Sequence, residues 1–302
     1  MTVGIYIVII LLLRVVQAFF NKRSSMEIKS IPMLIGYNSY KNALSALLGI
    51  FLLLFAGNGF RADLPTVLIA SFSGVSLFFS GFCSIYAMKS GTVSLSSMFG
   101  TAGMLIPIAA GALFFEQPIK PMQLVGVGLF FVSAYLLICS SKEIYSGFDV
   151  KTFLLLVGSL VANGCTMLAQ QMFTRYVPSG DVSIFSFLSF AIIALLSGLL
   201  YGGIALGKDK KQKAEDKERF APSGALLLCG VALAVSVFVI NQLATLSTAL
   251  VSPVILFAFI NGGGTIISAI VAAVVYREKL TGKSCAGILL GGASLLLIKA
   301  FA

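Results

Sequence analysis

The amino-acid sequence predicts an all-α integral membrane protein with ten transmembrane helices, arranged as two inverted five-helix repeats. Of its 302 residues, 58% are hydrophobic and 11% are charged, whereas a soluble domain carries about 25% charged residues. The mean hydropathy of +1.02 excludes intrinsic disorder, which requires low hydrophobicity. Because a membrane helix needs roughly 20 apolar residues, the chain has room for about ten helices and for no soluble domain.

Ten apolar runs follow one another along the chain, each bounded by charged residues, Pro or Gly. They are too long and too continuously apolar for the alternating strands of a membrane barrel, so each predicts a helix. The first run lacks the basic segment and the cleavage site of a signal peptide, which indicates a retained helix. The runs span approximately residues 3–20, 33–56, 65–88, 92–115, 121–140, 152–174, 182–206, 223–246, 250–276 and 283–301.

The two halves of the chain share a pattern that predicts an internal duplication. The fourth run ends at Glu116 and the ninth at Glu278, and after each acid a short basic link leads into a Gly-containing run. An odd number of helices per repeat gives the halves opposite membrane orientations, which is the inverted-repeat architecture of secondary transporters. We expect repeats over residues 1–146 and 147–302, with a basic cytoplasmic loop at 207–222 in the second.

Two segments carry a family resemblance that covers almost the whole chain. The segment Tyr86-Ala-Met-Lys-Ser-Gly through Pro107 to Glu116 resembles the EamA signature of the drug/metabolite transporter superfamily. A second copy begins at Ala249 and resembles the signature more weakly, since Ala269 stands where the first copy has Pro107. The resemblance implies five plus five helices, a central cavity between them and alternating access, with the fifth and tenth helices at the periphery.

The basic residues of the chain act as topology signals rather than as a nucleic-acid surface. The net charge is +10, but Lys and Arg lie mostly in short gaps between apolar runs and crowd the odd-numbered connections. The positive-inside rule then places these connections in the cytoplasm and both termini outside. Characterised ten-helix relatives have cytoplasmic termini instead. We expect a multi-pass protein of the inner or plasma membrane, monomeric or homodimeric, with the bilayer and a small-molecule substrate as partners and no nucleic acid.

Acidic residues are confined to loops and helix ends, and His is absent. A proton-coupled exporter of cationic drugs generally needs a membrane-embedded carboxylate, so this mechanism is disfavoured. Glu116, Glu278 and the embedded Arg14 are candidates for coupling; the two acids otherwise anchor helix ends, and Arg14 otherwise snorkels. Without His and without an embedded acid, the sequence predicts neither an enzyme nor a metal site, and no cofactor.

A polar cluster on the second run is the leading candidate for substrate contact. Asn38, Lys41 and Asn42 stand at i, i+3 and i+4, so they share one helix face. They either face a cavity and contact an anionic or zwitterionic substrate, or Lys41 snorkels and helps to set the topology.

Amide and aromatic residues in other runs are further candidates. An amide in lipid is expensive unless it is hydrogen-bonded, so these side chains face either the substrate or a neighbouring helix. Pro107 and the Gly262-Gly263-Gly264 stretch are candidate hinges, and close helix contact is the alternative for the glycines. The further substrate-binding candidates are Gln17, Tyr86, Asn163, Gln170, Asn241, Phe257 and Asn261.

These features together predict a secondary transporter that moves small polar metabolites, such as amino acids or related organic solutes, by alternating access. Transport proceeds by facilitation or exchange, or is coupled through the helix-end acids. The alternatives are an efflux pump for drugs or toxic compounds, and a membrane receptor that binds a ligand without transport.

Overall fold

The computed structural model of the chain is helical throughout, and no β-strand occurs in the residues that it describes. Those residues are 2–28, 30–56, 62–88, 99–117, 119–139, 150–206, 223–275 and 281–301. Eight uninterrupted helices are α1 (Thr2–Glu27), α2 (Ile31–Ala56), α3 (Leu64–Met88), α5 (Pro121–Cys139), α6 (Val150–Tyr176), α7 (Val182–Leu206), α8 (Gly224–Thr248) and α10 (Gly282–Ala300).

The fourth and ninth helices are irregular. The helix α4 spans Leu105–Phe114 and follows a turn at residues 103–104 that separates it from a helical stretch beginning at Phe99. The helix α9 consists of three consecutive segments. An α-helical turn at Pro253–Phe257 is followed by a π-helical turn at Ala258–Gly262 and by an α-helix over Gly263–Val274. The predicted count of ten helices is therefore confirmed in the described part of the chain.

Most boundaries agree with the sequence prediction to within about three residues, but α1 continues to Glu27, well past the predicted end at residue 20. The sixth run, predicted at 152–174, forms a helix over Val150–Tyr176. Residues 92–98 of the fourth run, the predicted repeat boundary at 146–147 and the basic loop at 207–222 lie outside the described residues.

Seven of the described helices are long and apolar enough to cross a membrane, namely α1, α2, α3, α6, α7, α8 and α9. A 26-residue helix such as α2 reaches about 39 Å, which exceeds a hydrocarbon core of about 30 Å. The helices α4, α5 and α10 are shorter but equally apolar. Large apolar side chains are strongly exposed, with Phe114 at 77% and Leu54 at 76%. In a multi-pass membrane protein these side chains face lipid.

Polar side chains mark the beginnings of several helices. The Ser223 hydroxyl accepts a hydrogen bond from Leu226 N at 3.0 Å and so caps α8. The same hydroxyl donates to Glu27, which ties the start of α8 to the end of α1. Ahead of α7, Asp181 accepts a hydrogen bond from Ser183 N at 2.7 Å.

The helices pair in a regular way. The helix α2 packs along α7, and α5 packs along α10. The helix α3 packs against α6 and α7, while α8 packs against α1 and α2. Two further pairings join α4 to α6 and α9 to α1. The largest buried core lies where α1, α4, α5, α6, α8, α9 and α10 converge, and the fully buried Phe130, Leu256 and Met104 belong to it.

Candidate functional site

A cavity of about 230 Å³ is lined by residues of α2, α3, α7 and α8. We name it the Lys41 cavity. Its wall on α2 is mainly polar, whereas α3, α7 and α8 contribute mostly apolar side chains. The lining residues are Ile35, Asn38, Lys41, Asn42, Leu77, Phe78, Ser80, Gly81, Phe82, Phe190, Ile193, Ser197, Leu200 and Val237.

Two glycines on α2 mark close contacts with α7 on either side of Lys41. A Cβ atom added to Gly36 would approach the Tyr201 ring to 2.9 Å, and one added to Gly49 would approach Phe187 Cβ to the same distance. The helices α2 and α7 therefore touch closely at both places. Between the two contacts the helices carry the side chains that line the cavity.

Lys41 lies well inside α2, where a charged side chain is costly in a membrane helix. It is ten residues beyond the start of α2 at Ile31, or about 15 Å along the helix. Lys41 Nζ donates a hydrogen bond to Asn38 Oδ1 at 3.0 Å. One turn later, Ser45 Oγ donates to the carbonyl oxygens of Lys41 and, across the interface with α8, of Ala234. These bonds hold the polar turn of α2 in position beside the cavity.

The polar wall of the cavity keeps unused hydrogen-bonding capacity. Asn42 is 6% exposed and Ser197 is 7% exposed, and neither side chain has a hydrogen-bond partner in the part of the chain that the structure describes. Polar atoms that line a cavity without a partner in the chain are free to bond to water or to a ligand. Asn38, Lys41 and Asn42 share one face of α2, as their spacing predicts, and all three line the cavity.

The amides of α6 and α8 lie elsewhere, in bonds between helices. Gln170 Nε2 donates to Asn241 Oδ1 at 3.0 Å, and Asn163 Nδ2 donates to Gly100 O at 2.6 Å. The structure does not bring these residues to the Lys41 cavity, and their contacts are those of interhelical hydrogen bonding. Asn261 Nδ2 lies 3.5 Å from the Met167 sulfur, which joins α9 to α6.

Arg14 and Gln17 also lie outside the Lys41 cavity. Arg14 Nη1 donates to Gln17 Oε1 at 3.0 Å, as expected for residues three apart on one helix face. The Arg14 side chain packs against α9, because a Cβ atom on Gly264 would lie 3.4 Å from Arg14 Cδ and Nε. Arg14 Nε is buried and has no partner among the described residues.

Both candidate hinges coincide with irregular backbone. Pro107 lacks the N–H that would bond to Gly103 O, and that carbonyl accepts from Ile106 N at 3.1 Å instead, beside the turn at 103–104. The π-helical turn of α9 ends at Gly262. The three glycines are also sites of close helix contact, since Cβ atoms there would meet side chains from α5, α10 and α1.

The remaining candidates contribute no described contact to the cavity. Phe257 is 2% exposed and packs in the large core. Glu116 is exposed and ends α4 in the left-handed backbone region, with φ 54°. Tyr86 lies in α3, but its side chain and the whole of Glu278 lie outside what the structure describes.

Sequence reasoning missed the rest of the cavity lining. Ser80 and Ser197 are small polar residues that also occur throughout ordinary helix interfaces. Phe78, Phe82 and Phe190 are apolar residues in apolar helices, where nothing in the sequence separates a cavity wall from a lipid-facing position. The signal that was available is the pair of glycines at 36 and 49, which indicates close approach of another helix on either side of the polar cluster of α2.

Comparisons with known proteins give a match in fold alone. No protein-family model matches the chain, and no curated protein matches it. One solved structure, described as the crystal structure of a protein, is similar to this chain with a TM-score of 0.79 and 14% identity. The similarity covers 100% of this chain and 97% of the other. The same fold therefore occurs in a solved protein over essentially its full length.

Proposed function

We propose that this protein is a secondary transporter of the EamA type that moves small polar organic solutes, such as amino acids or related metabolites, by alternating access. The observation that carries the proposal is the Lys41 cavity. It holds an embedded cation and unpaired polar groups at mid-depth in a bundle of membrane-length helices. Intramembrane ionisable residues are costly and mark substrate or ion pathways.

The helix pairing supports an inverted-repeat organisation. If each helix number is shifted by five, the pair α1 with α8 becomes α6 with α3, and α1 with α9 becomes α6 with α4. The pairs α2 with α7 and α5 with α10 map onto themselves. The Lys41 cavity is lined by α2, α3, α7 and α8. The shift of five converts α2 into α7 and α3 into α8, and the reverse, so the same four helices line the cavity after the shift. In inverted-repeat transporters the substrate site lies at such an interface between repeats.

The irregular helices α4 and α9 support alternating access. The shift of five converts α4 into α9 and α9 into α4. The regular backbone of α4 is interrupted near the candidate hinge Pro107, and that of α9 is interrupted near the candidate hinge Gly262. Discontinuous helices are where transporters of this architecture bend. Because no acid lies beside Lys41 in the described residues, we propose facilitation or exchange rather than coupling to a proton at this site. We also propose an inner or plasma membrane location and no enzymatic activity.

A flux assay with purified protein tests the proposal. Proteoliposomes are incubated with a mixture of small organic solutes, and internal solute is followed by mass spectrometry with and without a pH gradient. We expect uptake of at least one solute above that of protein-free liposomes, and uptake without the gradient. Binding without flux of any solute would favour a receptor, and strictly gradient-dependent flux would refute uncoupled transport.

A further inference from the structure

The Lys41 cavity carries a single, uncompensated positive charge. Lys41 is the one ionisable side chain among the described residues that line it. Its ammonium donates one hydrogen bond, to the uncharged Asn38 amide, and no described carboxylate forms an ion pair with it. A charge beside apolar surfaces is stabilised by a partner of opposite sign, which a bound anion would supply here.

The groups around Lys41 suit one carboxylate. The ammonium has two further N–H donors beyond the one given to Asn38. Asn42 stands one residue further along α2, is nearly fully buried and has an amide with no described partner, so its NH₂ is a second donor at the same wall. A carboxylate has two oxygens that accept such bonds, and charge-assisted bonds of this kind are the stronger ones.

The aromatic residues that α3 and α7 contribute to the lining suit an apolar body and do not accommodate a second charge. Phe78 and Phe82 of α3 have ring centroids 6.2 Å apart at an interplanar angle of 27°, and Phe190 of α7 is fully buried beside them in the lining. None of these side chains has a carboxylate that could form an ion pair with a ligand's ammonium. An α-ammonium on the ligand would lie near Lys41 and would be repelled by it.

We infer that the Lys41 cavity selects organic monocarboxylates with an apolar body over the corresponding amino acids, amides and amines. This selectivity rests on the proposed function and changes its substrate class: among amino acids and related organic solutes, it favours the related acids that lack an α-ammonium. A single negative charge balances Lys41, whereas a zwitterion brings an extra cation and a neutral amide leaves Lys41 unpaired. The ligand's apolar part replaces water along the aromatic wall.

Matched ligand series test the selectivity by binding to the detergent-purified full chain. The first series is 3-phenylpropanoate, phenylalanine, 3-phenylpropanamide and 3-phenylpropylamine, and the second is 4-methylpentanoate and leucine. Affinity is measured by calorimetry and by the shift in thermal unfolding, since a ligand of the native state raises apparent stability. We expect each carboxylate to bind at least about tenfold more tightly than its amino acid, amide or amine.

Variants connect the preference to Lys41. Lys41→Met should remove the carboxylate preference, and Lys41→Arg should keep it, whereas Lys151→Met, on an exposed site of α6, should behave as wild type. If Lys41→Met is not monodisperse, Asn42→Ala provides the test, with an expected loss of about fivefold or more in carboxylate affinity.

Each other outcome overturns the inference. Equal or tighter binding of the amino acids, binding of the amine, or no binding of either carboxylate up to millimolar concentration would contradict it. So would a carboxylate preference that survives Lys41→Met. Failure of the proposed function looks different, because the carboxylates would then bind selectively while no solute crosses the proteoliposome membrane.

Discussion

Replacing Gly81 with Leu tests whether the Lys41 cavity is the place where substrate binds. Gly81 lines the cavity from α3, and a Cβ atom added there meets no heavy atom within 4 Å. The residue lies inside a regular helix, where Leu is favoured over Gly by roughly 0.5–1 kcal/mol. Because Gly81 belongs to the cavity lining and an added side chain meets no neighbour there, we expect Leu to extend into the cavity without a cost to the fold.

The magnitude follows from the volumes. The four carbons of the introduced Leu side chain take up a substantial part of a cavity of about 230 Å³. Forcing a ligand into the remainder is overpacking, which costs about 1–3 kcal/mol. We therefore expect substrate affinity and low-concentration flux to fall by about 5- to 150-fold.

The assay is flux into proteoliposomes, with thermal unfolding measured on the same preparations. Gly128→Leu on α5 is the matched control, because a Cβ atom there also meets nothing within 4 Å and the residue is not part of the cavity lining. Both variants should be at least as stable as wild type. If Gly81→Leu transports as well as Gly128→Leu does, substrate does not bind in the Lys41 cavity.

Three further experiments address the hinge, the end of α4 and the interhelical amides. Pro107→Ala restores an N–H that can bond to Gly103 O, so α4 should become more regular and flux should fall severalfold while the yield of folded protein is unchanged. Glu116→Gly should exceed Glu116→Ala in free energy of unfolding by about 1 kcal/mol, because φ is 54° there and a Cβ atom is disfavoured in that region. A double-mutant cycle of Gln170→Leu and Asn241→Leu should give a coupling free energy of about 1 kcal/mol.

Each of these predictions has a contrary result. Unchanged flux in Pro107→Ala would remove the hinge role of that residue. Equal stability of the Gly and Ala variants at Glu116 would mean that the left-handed backbone there carries no strain, and loss of flux in Glu116→Gln would favour coupling through that acid. Zero coupling between Gln170 and Asn241 would return both amides to the set of possible substrate contacts.

The sequence predicted the helices well because their signal is local. A continuous apolar run reports a membrane helix wherever its neighbours lie, so the sixth run at 152–174 matches α6 closely. The shared face of Asn38, Lys41 and Asn42 is equally local, since it depends only on helical periodicity. Their cavity partners are not local, because contact between α2 and α7 depends on packing between residues far apart in the chain.

The amides also show that the sequence does not predict contacts between helices. Sequence reasoning expected polar side chains to face inward, and Gln17, Gln170 and Asn241 lie within the bundle. Whether such an amide meets a substrate or another amide depends on which helix stands opposite. In the structure Gln170 and Asn241 bond to each other, an arrangement that spacing along the chain does not encode.

Access to the Lys41 cavity from the two sides of the membrane is the most direct test of alternating access. The five cysteines at 83, 139, 165, 229 and 285 are replaced by Ser or Ala, and Ser197→Cys is introduced in the cavity wall. A membrane-impermeant thiol reagent is then applied to sealed vesicles of each orientation. Alternating access predicts labelling from both sides and protection by a bound carboxylate. Labelling from one side only, in the presence and absence of ligand, would contradict a transporter whose substrate crosses through this cavity.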